Sequence, residues 1–267
     1  MIGFVESFMI WLASTIIPAV VGLTLIVWLG RLTKPKLTAA FAFGIFLWFF
    51  VDTIEGSAGL YKDTGFGGGA DQVASVGLFI LGLLVFVWAD RNRSIFNSDQ
   101  AMGMYGIVIP LMVSVAVGIH GLGEGTAFGA NVSSTSSSTL LEAFGGVNAG
   151  IAYVLHKALE PMMVGACYLV YSTNHVQNNT DQLKDSLLLS LAFVIPSLVG
   201  AGTGYYLVYN TAYFFALATG TSVYAAIRLA GPMFENKIPS SPGDSLRLAA
   251  MIILGFLAIY ISALFHS

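Results

Sequence analysis

Two stretches of the chain each place a histidine and a glutamate four residues apart inside a long apolar segment. The first pair is His120 and Glu124 in "HGLGEG", and the second is His156 and Glu160 in "HKALEP". Residues four apart share one face of a helix, with Cβ atoms about 5–6 Å apart. Imidazole nitrogens and carboxylate oxygens are ligands for zinc, iron, manganese and cobalt. The spacing therefore predicts that each pair can bind one side of the same ion.

The composition indicates that both pairs lie in a membrane. The chain has 267 residues, of which 56% are hydrophobic and only 9% are charged, and its mean hydropathy is +0.80. Soluble domains carry about 25% charged residues, so this chain lacks the polar surface to cover a globule in water. The net charge of −3 and the lack of a long basic stretch give no sign of a nucleic-acid partner. A single cysteine, Cys167, excludes an intrachain disulfide and a cysteine-based zinc cage.

Eight segments are apolar over the roughly 20 residues that a helix needs to cross the hydrocarbon. We predict an all-α fold, a polytopic membrane bundle of eight helices, because lipid requires each backbone polar group to be satisfied within its own helix. The bundle is expected to form one transporter domain over residues 1–267. The approximate bounds are 7–30, 37–56, 73–90, 102–130, 140–172, 184–208, 210–230 and 246–265.

Positive charge sets the predicted orientation. Lys62 is the one lysine or arginine expected in a connection on one side of the membrane. The other side carries Arg31, Lys34, Lys36, Arg91, Arg93, Lys184, Lys237 and Arg247. By the positive-inside rule these eight residues lie in the cytoplasm and both termini lie outside. The protein is thus expected to be integral and multi-pass, in the cell membrane.

The two pairs are expected to meet near the middle of the membrane, because their helices are consecutive and antiparallel. An ionised side chain at the bilayer centre costs about 2.5–3.5 kcal/mol on insertion scales. A divalent cation would neutralise both carboxylates and use the imidazole lone pairs. One such histidine alone is more often a hydrogen-bonded packing residue. Two pairs on adjacent helices favour a metal or proton site, with His120, Glu124, His156 and Glu160 as metal ligands.

At these residues the sequence resembles the ZIP family of divalent metal transporters. The family's fourth helix typically reads HNxPEG and its fifth HxxPEG. Three further segments are similar to family motifs, namely "GIFLWFFVDTIEG", "FFALATGTSVY" and "LGFLAIYISALFH". The resemblance covers nearly the whole chain. It implies eight spans with both termini outside, and a transport-site metal held by the four ligands already named.

The sequence departs from family members that bind two metal ions. Where they have an asparagine, an acidic residue and a glutamate, this chain has Gly121, Lys157 and Ile195. Lys157 would supply positive charge where the second ion would sit. With Glu124 and Glu160 ionised, one divalent cation leaves a total charge of +1 and two leave +3, which a low dielectric strongly disfavours. We therefore predict a mononuclear site.

Asp52 and Glu55 end the second span on the outer side. One interpretation is that they attract cations at an entrance, since Asp52 stands near the position of a family histidine. The other is that they are solvated carboxylates at a helix end. The sequence leaves both open.

The predicted function is inward transport of a divalent transition-metal cation by alternating access. The resemblance implies uptake into the cytoplasm, with helices one, four, five and six as the moving group. The resemblance implies zinc first, with iron, manganese, cobalt and cadmium as alternatives. The metal is the transported substrate, and no organic cofactor or enzyme activity is expected. The alternatives are an intramembrane metal-dependent hydrolase and a membrane metal sensor that does not transport. The expected partners are the metal ion and the lipid bilayer, and a homodimer is left open.

Overall fold

The structure is a computed structural model that describes residues 3–58, 69–92, 106–134, 142, 144–172, 179–207, 210–234 and 242–264. Over these residues the chain forms eight long helices and no strand, which confirms the predicted all-helical class. They are α1 Phe4–Leu32, α2 Pro35–Ala58, α3 Ala70–Arg91, α4 Val108–Ser134, α5 Val147–Tyr171, α6 Asn179–Tyr206, α7 Ala212–Phe234 and α8 Pro242–Ala263.

Seven of these helices are long and apolar enough to cross a membrane. The exception is α5, whose interior carries His156, Lys157 and Glu160 and is therefore less apolar. Its 25 residues still span about 37 Å at 1.5 Å per residue, against a hydrocarbon core of about 30 Å. The helix is long enough to cross. Lys157 and Glu160 are buried inside the bundle, whereas His156 is half-buried.

Consecutive helices run in opposite directions. In α1 and α6, the Trp11 indole donates to the Ser197 hydroxyl near one end, and Arg31 donates to Gln182 near the other end. These two helices are therefore antiparallel. Comparable contacts make α5 parallel to α1, α6 parallel to α4, and α7 antiparallel to α4. The start of α1 and the end of α8 consequently lie at the same end of the bundle, called the termini end below.

The helices pack as two groups. The α4 group contains α1, α4, α5 and α6, and its most extensive contacts are α4 with α6 and α1 with α5. The α2 group contains α2, α3, α7 and α8, in which α2 packs on α7 and α8, and α3 packs on α7. The groups meet mainly through α4 with α7 and α2 with α5. The interior of the bundle between the groups is therefore lined by α2, α4, α5 and α7.

Glycines join the helices within each group at backbone distance. A Cβ atom added at Gly22 would meet the backbone of α5, and one at Gly125 would meet the backbone of α6. In the α2 group, Gly44 lies against α8 and Gly220 against α3 in the same way. For the described glycines, the atoms nearest to such a Cβ are never backbone atoms of the other group. Small residues allow this close approach of membrane helices. The helices within each group are therefore packed more tightly than the two groups are packed against each other.

The fifth helix begins later than the sequence predicts, at Val147 and not near residue 140. The two residues before it, Gly145 and Gly146, have φ angles of 85° and 116°. These left-handed conformations suit glycine and are incompatible with a continuing right-handed helix. The glycine pair therefore sets the start of α5, and with it the depth of every side chain on that helix.

Candidate metal centre

The ionisable side chains of α4 and α5 meet because the two helices are antiparallel and closely matched in length. Glu124 lies ten residues before the end of α4, and Lys157 lies ten residues after the start of α5. Each is therefore about 15 Å from the termini end of its helix. His120 and Glu160 lie about one turn deeper, near the middle of their helices. The later start of α5 thus brings Glu160, and not His156, level with His120.

Three side chains form a group that could hold one metal ion. His120, Glu124 and Glu160 each offer a ligand atom, and these atoms lie within 4.8 Å of one another. Within α4, Nε2 of His120 is 3.5 Å from Oε1 of Glu124, as the four-residue spacing predicts. His120 and Glu160 are buried, whereas Glu124 keeps about a fifth of its side chain exposed. The group is therefore enclosed on most sides.

The Lys157 ammonium lies between the two carboxylates. Its Nζ is 2.8 Å from Oε2 of Glu160 and also forms an ion pair with Oε2 of Glu124. Lys157 is fully buried, although lysine is almost never so unless it is paired. Each carboxylate oxygen of Glu124 therefore has a partner, because Oε1 faces His120 and Oε2 faces Lys157. The ammonium occupies space that a second cation would need, and it neutralises part of the carboxylate charge that would attract one.

Asp52 of α2 reaches the group from the other side. Its Oδ2 is 3.2 Å from Nε2 of His120, and half of its side chain is exposed. The imidazole also packs between the rings of Phe49 and Phe215, with centroid distances of 4.9 and 5.3 Å. Its Nδ1 is buried without a hydrogen-bond partner among the described residues. His120 therefore directs Nε2 toward two carboxylates, and Asp52 is the more accessible of the two.

The remaining predicted residues lie elsewhere. His156 is half-buried on α5, outside the three-residue group, so its role as a ligand stays a prediction. Gly121 packs against Ser197 of α6, and Ile195 is 53% exposed on the bundle surface. Glu55 is half-buried near the end of α2, one turn beyond Asp52. Whether Gly121 and Ile195 replace ligands of a second ion also stays a prediction.

Two aromatic residues that the sequence reasoning did not identify face the lysine. The ring centres of Tyr153 and Phe193 are 5.6 and 5.5 Å from Nζ of Lys157. Tyr153 is four residues before Lys157 on α5, so the spacing that linked His120 to Glu124 could have indicated it. Phe193 belongs to α6, and no local spacing connects it with the site.

The donor set fits a divalent transition metal. One imidazole nitrogen and two carboxylate oxygens match the ligand types of zinc and its neighbours, and leave a coordination position open. The ion would be bound reversibly if the partly exposed Glu124 and Asp52 let it enter and leave. No family model and no curated protein matches the chain significantly.

Proposed function

We propose that this chain carries a divalent transition-metal cation across a membrane, one ion at a time, through the centre formed by His120, Glu124 and Glu160. The observation that supports this most is the grouping of these three ligands near the middle of the bundle. Carriers place their binding site near the bilayer midplane, so that it can face either side in turn. A purely structural ion pair would not need the additional imidazole and the partly exposed carboxylates.

The charge balance supports a single ion. With Asp52 included, the site has three carboxylates and one ammonium group, so that one divalent cation brings the total to zero with a neutral imidazole. A second divalent cation would leave +2 in surroundings of low dielectric constant, which is strongly unfavourable. The ion pairs of Lys157 with Glu124 and Glu160 support its predicted role as a built-in positive charge.

Alternating access would move the α4 group against the α2 group, since close glycine packing lies within the groups. The three ligands all belong to the α4 group and would travel together, whereas Asp52 belongs to the α2 group. Contacts made by hydroxyl groups also cross the boundary. Thr221 donates to the Ala116 carbonyl at 2.7 Å, and Tyr171 donates to the Arg228 carbonyl at 3.0 Å. These bonds and the Asp52–His120 contact would break and re-form during each cycle.

We further propose that all eight helices cross the membrane, that both termini lie outside, and that the metal moves inward. Apart from Lys157 at the site and Arg228 within α7, the described lysines and arginines support this orientation, because they cluster at the bundle end opposite the termini. They are Arg31, Lys34, Lys36, Arg91, Lys184 and Arg247. Asp52 is the most accessible carboxylate of the site. It lies toward the termini end and would receive the ion. The motif order points to a distant relation with the ZIP family and to zinc as substrate.

Metal flux into proteoliposomes tests the proposal. The protein is reconstituted, and uptake of zinc is followed for the wild type, His120→Ala, Glu160→Gln and Glu6→Gln. Glu6 is an exposed carboxylate on α1 and provides the matched control. We expect both site variants to lose uptake and Glu6→Gln to keep it.

Three other results would contradict transport through this site. Zinc uptake that survives in both site variants would place the pathway elsewhere. Zinc binding without uptake would indicate a sensor. Cleavage of lipid or peptide bonds without uptake would indicate a metal-dependent hydrolase. A competition panel with iron, manganese, cobalt and cadmium then identifies the preferred ion.

A further inference from the structure

The Lys157 ammonium is enclosed by two carboxylates and two aromatic rings. The carboxylates of Glu124 and Glu160 form ion pairs with Nζ, and the ring centres of Tyr153 and Phe193 lie 5.6 and 5.5 Å away. Cation–π attraction is significant within about 6 Å of a ring centre and is strongest where water is excluded. Lys157 is fully buried, so both rings meet that condition.

Both rings are held firmly. The Tyr153 hydroxyl is hydrogen-bonded to the Thr15 hydroxyl of α1 at 2.7 Å, and the ring packs on Trp11 with centroids 4.5 Å apart. Phe193 is 3% exposed, and its backbone lies against Gly118 of α4. Neither ring can move far from the ammonium without disturbing a packed contact. The two rings therefore form a fixed seat for the lysine.

The seat matters when a metal ion is bound. A divalent cation would draw electron density and lone pairs from Glu124 and Glu160, which weakens their hold on Lys157 while the ion repels the ammonium. The ring faces attract the ammonium without competing for the metal, because aromatic carbon is not a ligand for a divalent transition metal. Nζ can thus remain beside the loaded ion at low cost.

We infer that Tyr153 and Phe193 are positioning residues that hold the Lys157 ammonium beside the bound ion, and so set the affinity of the centre for a divalent cation. The inference rests on the proposed function and extends it to residues that bind no metal themselves. Without a ring, the ammonium would be held by the carboxylates alone and would compete with the incoming ion for their oxygens. Loss of either ring should therefore weaken metal binding through Lys157 and not through general packing.

The test measures the zinc dissociation constant of the purified full-length chain in detergent. Tyr153→Leu removes the ring, and Tyr153→Phe keeps the ring while removing the hydroxyl that bonds Thr15. We expect Tyr153→Leu to raise Kd about tenfold, equivalent to about 1.4 kcal/mol, and Tyr153→Phe to change it less than twofold. Phe193→Leu is the second ring variant and should resemble Tyr153→Leu, which keeps the test usable if one variant does not fold.

A double-mutant cycle separates positioning from packing. Each ring variant is repeated with Lys157→Met, which removes the ammonium but keeps a long side chain. We expect the ring substitutions to have no effect on Kd in that background, because no cation remains to be seated. An equal loss of affinity with and without Lys157 would overturn the inference and leave the proposed function intact. A wild-type protein that binds no zinc would instead overturn the proposed function, and the inference with it.

Discussion

Replacing Lys157 with methionine tests how the site behaves without a metal. The ammonium is fully buried and forms ion pairs with both Glu124 and Glu160. Removing one partner of a buried ion pair typically costs about 3–5 kcal/mol, because a charge is left uncompensated. At roughly 2–4 °C per kcal/mol for a chain of this size, Tm should fall by roughly 6–20 °C without metal. Zinc should then stabilise the variant more than the wild type, because two uncompensated carboxylates attract it.

The assay is thermal unfolding of the purified protein in detergent, with a chelator and with saturating zinc. Lys184→Met provides the matched control, since Lys184 is exposed near the start of α6, and it should shift Tm by no more than a surface substitution does. A Lys157→Met protein as stable as the wild type in chelator would refute the reasoning. So would an equal gain from zinc in both proteins.

Three further predictions concern the surroundings of the site. Asp52→Asn should weaken zinc binding about 10–100-fold, because it removes one of the three carboxylate charges that face the ion. An unchanged Kd in isothermal titration would contradict a role of Asp52 at the site. Zinc affinity should fall as pH is lowered, because protons compete for imidazole and carboxylate ligands, and a pH-independent Kd would exclude these ligands. Gly22→Val should destabilise the fold by at least about 1–3 kcal/mol through overpacking against Ala158. Gly77→Val, where a Cβ meets nothing within 4 Å, should be tolerated in the same unfolding assay.

Local sequence patterns were sufficient for much of the fold and for the contact between His120 and Glu124. Continuous apolar segments predict the eight helices, since membrane-length helices need little beyond composition and length. The four-residue spacing correctly predicts that His120 and Glu124 face each other, because it depends only on helical geometry. The convergence of α4 and α5 follows from their being consecutive and antiparallel.

The relative depth of the two helices could not be read from the apolar pattern alone. The predicted start of the fifth span, near residue 140, put His156 level with His120. The described helix begins at Val147 after two glycines with positive φ, which brings Glu160 and Lys157 to the level of the site. The apolar pattern defines the ends of a helix only loosely, whereas the backbone conformation at its first residue defines where it begins.

Contacts made by residues of other helices also could not be predicted from local sequence patterns. The approach of Asp52 to His120 depends on how α2 packs against α4, and two interpretations of Asp52 remained open for that reason. On α6, the family resemblance indicated Ile195 as the residue at a ligand position. Ile195 is exposed, whereas Phe193 faces Lys157. Residues two apart point in directions about 200° different on a helix. Only the rotation of α6 in the bundle decides which of them faces the site.

The central claim is that His120, Glu124 and Glu160 hold one divalent ion inside the bundle. Zinc-loaded protein, freed of loose metal, can be measured for zinc content and zinc K-edge X-ray absorption on the same sample. We predict one zinc per chain, bound by nitrogen and oxygen at about 2.0–2.2 Å without the sulfur shell expected at about 2.3 Å. The double variant that combines Glu124→Gln with Glu160→Gln should lose this zinc. A metal-free wild type, two zinc ions per chain, or zinc retained by the double variant would contradict the claim.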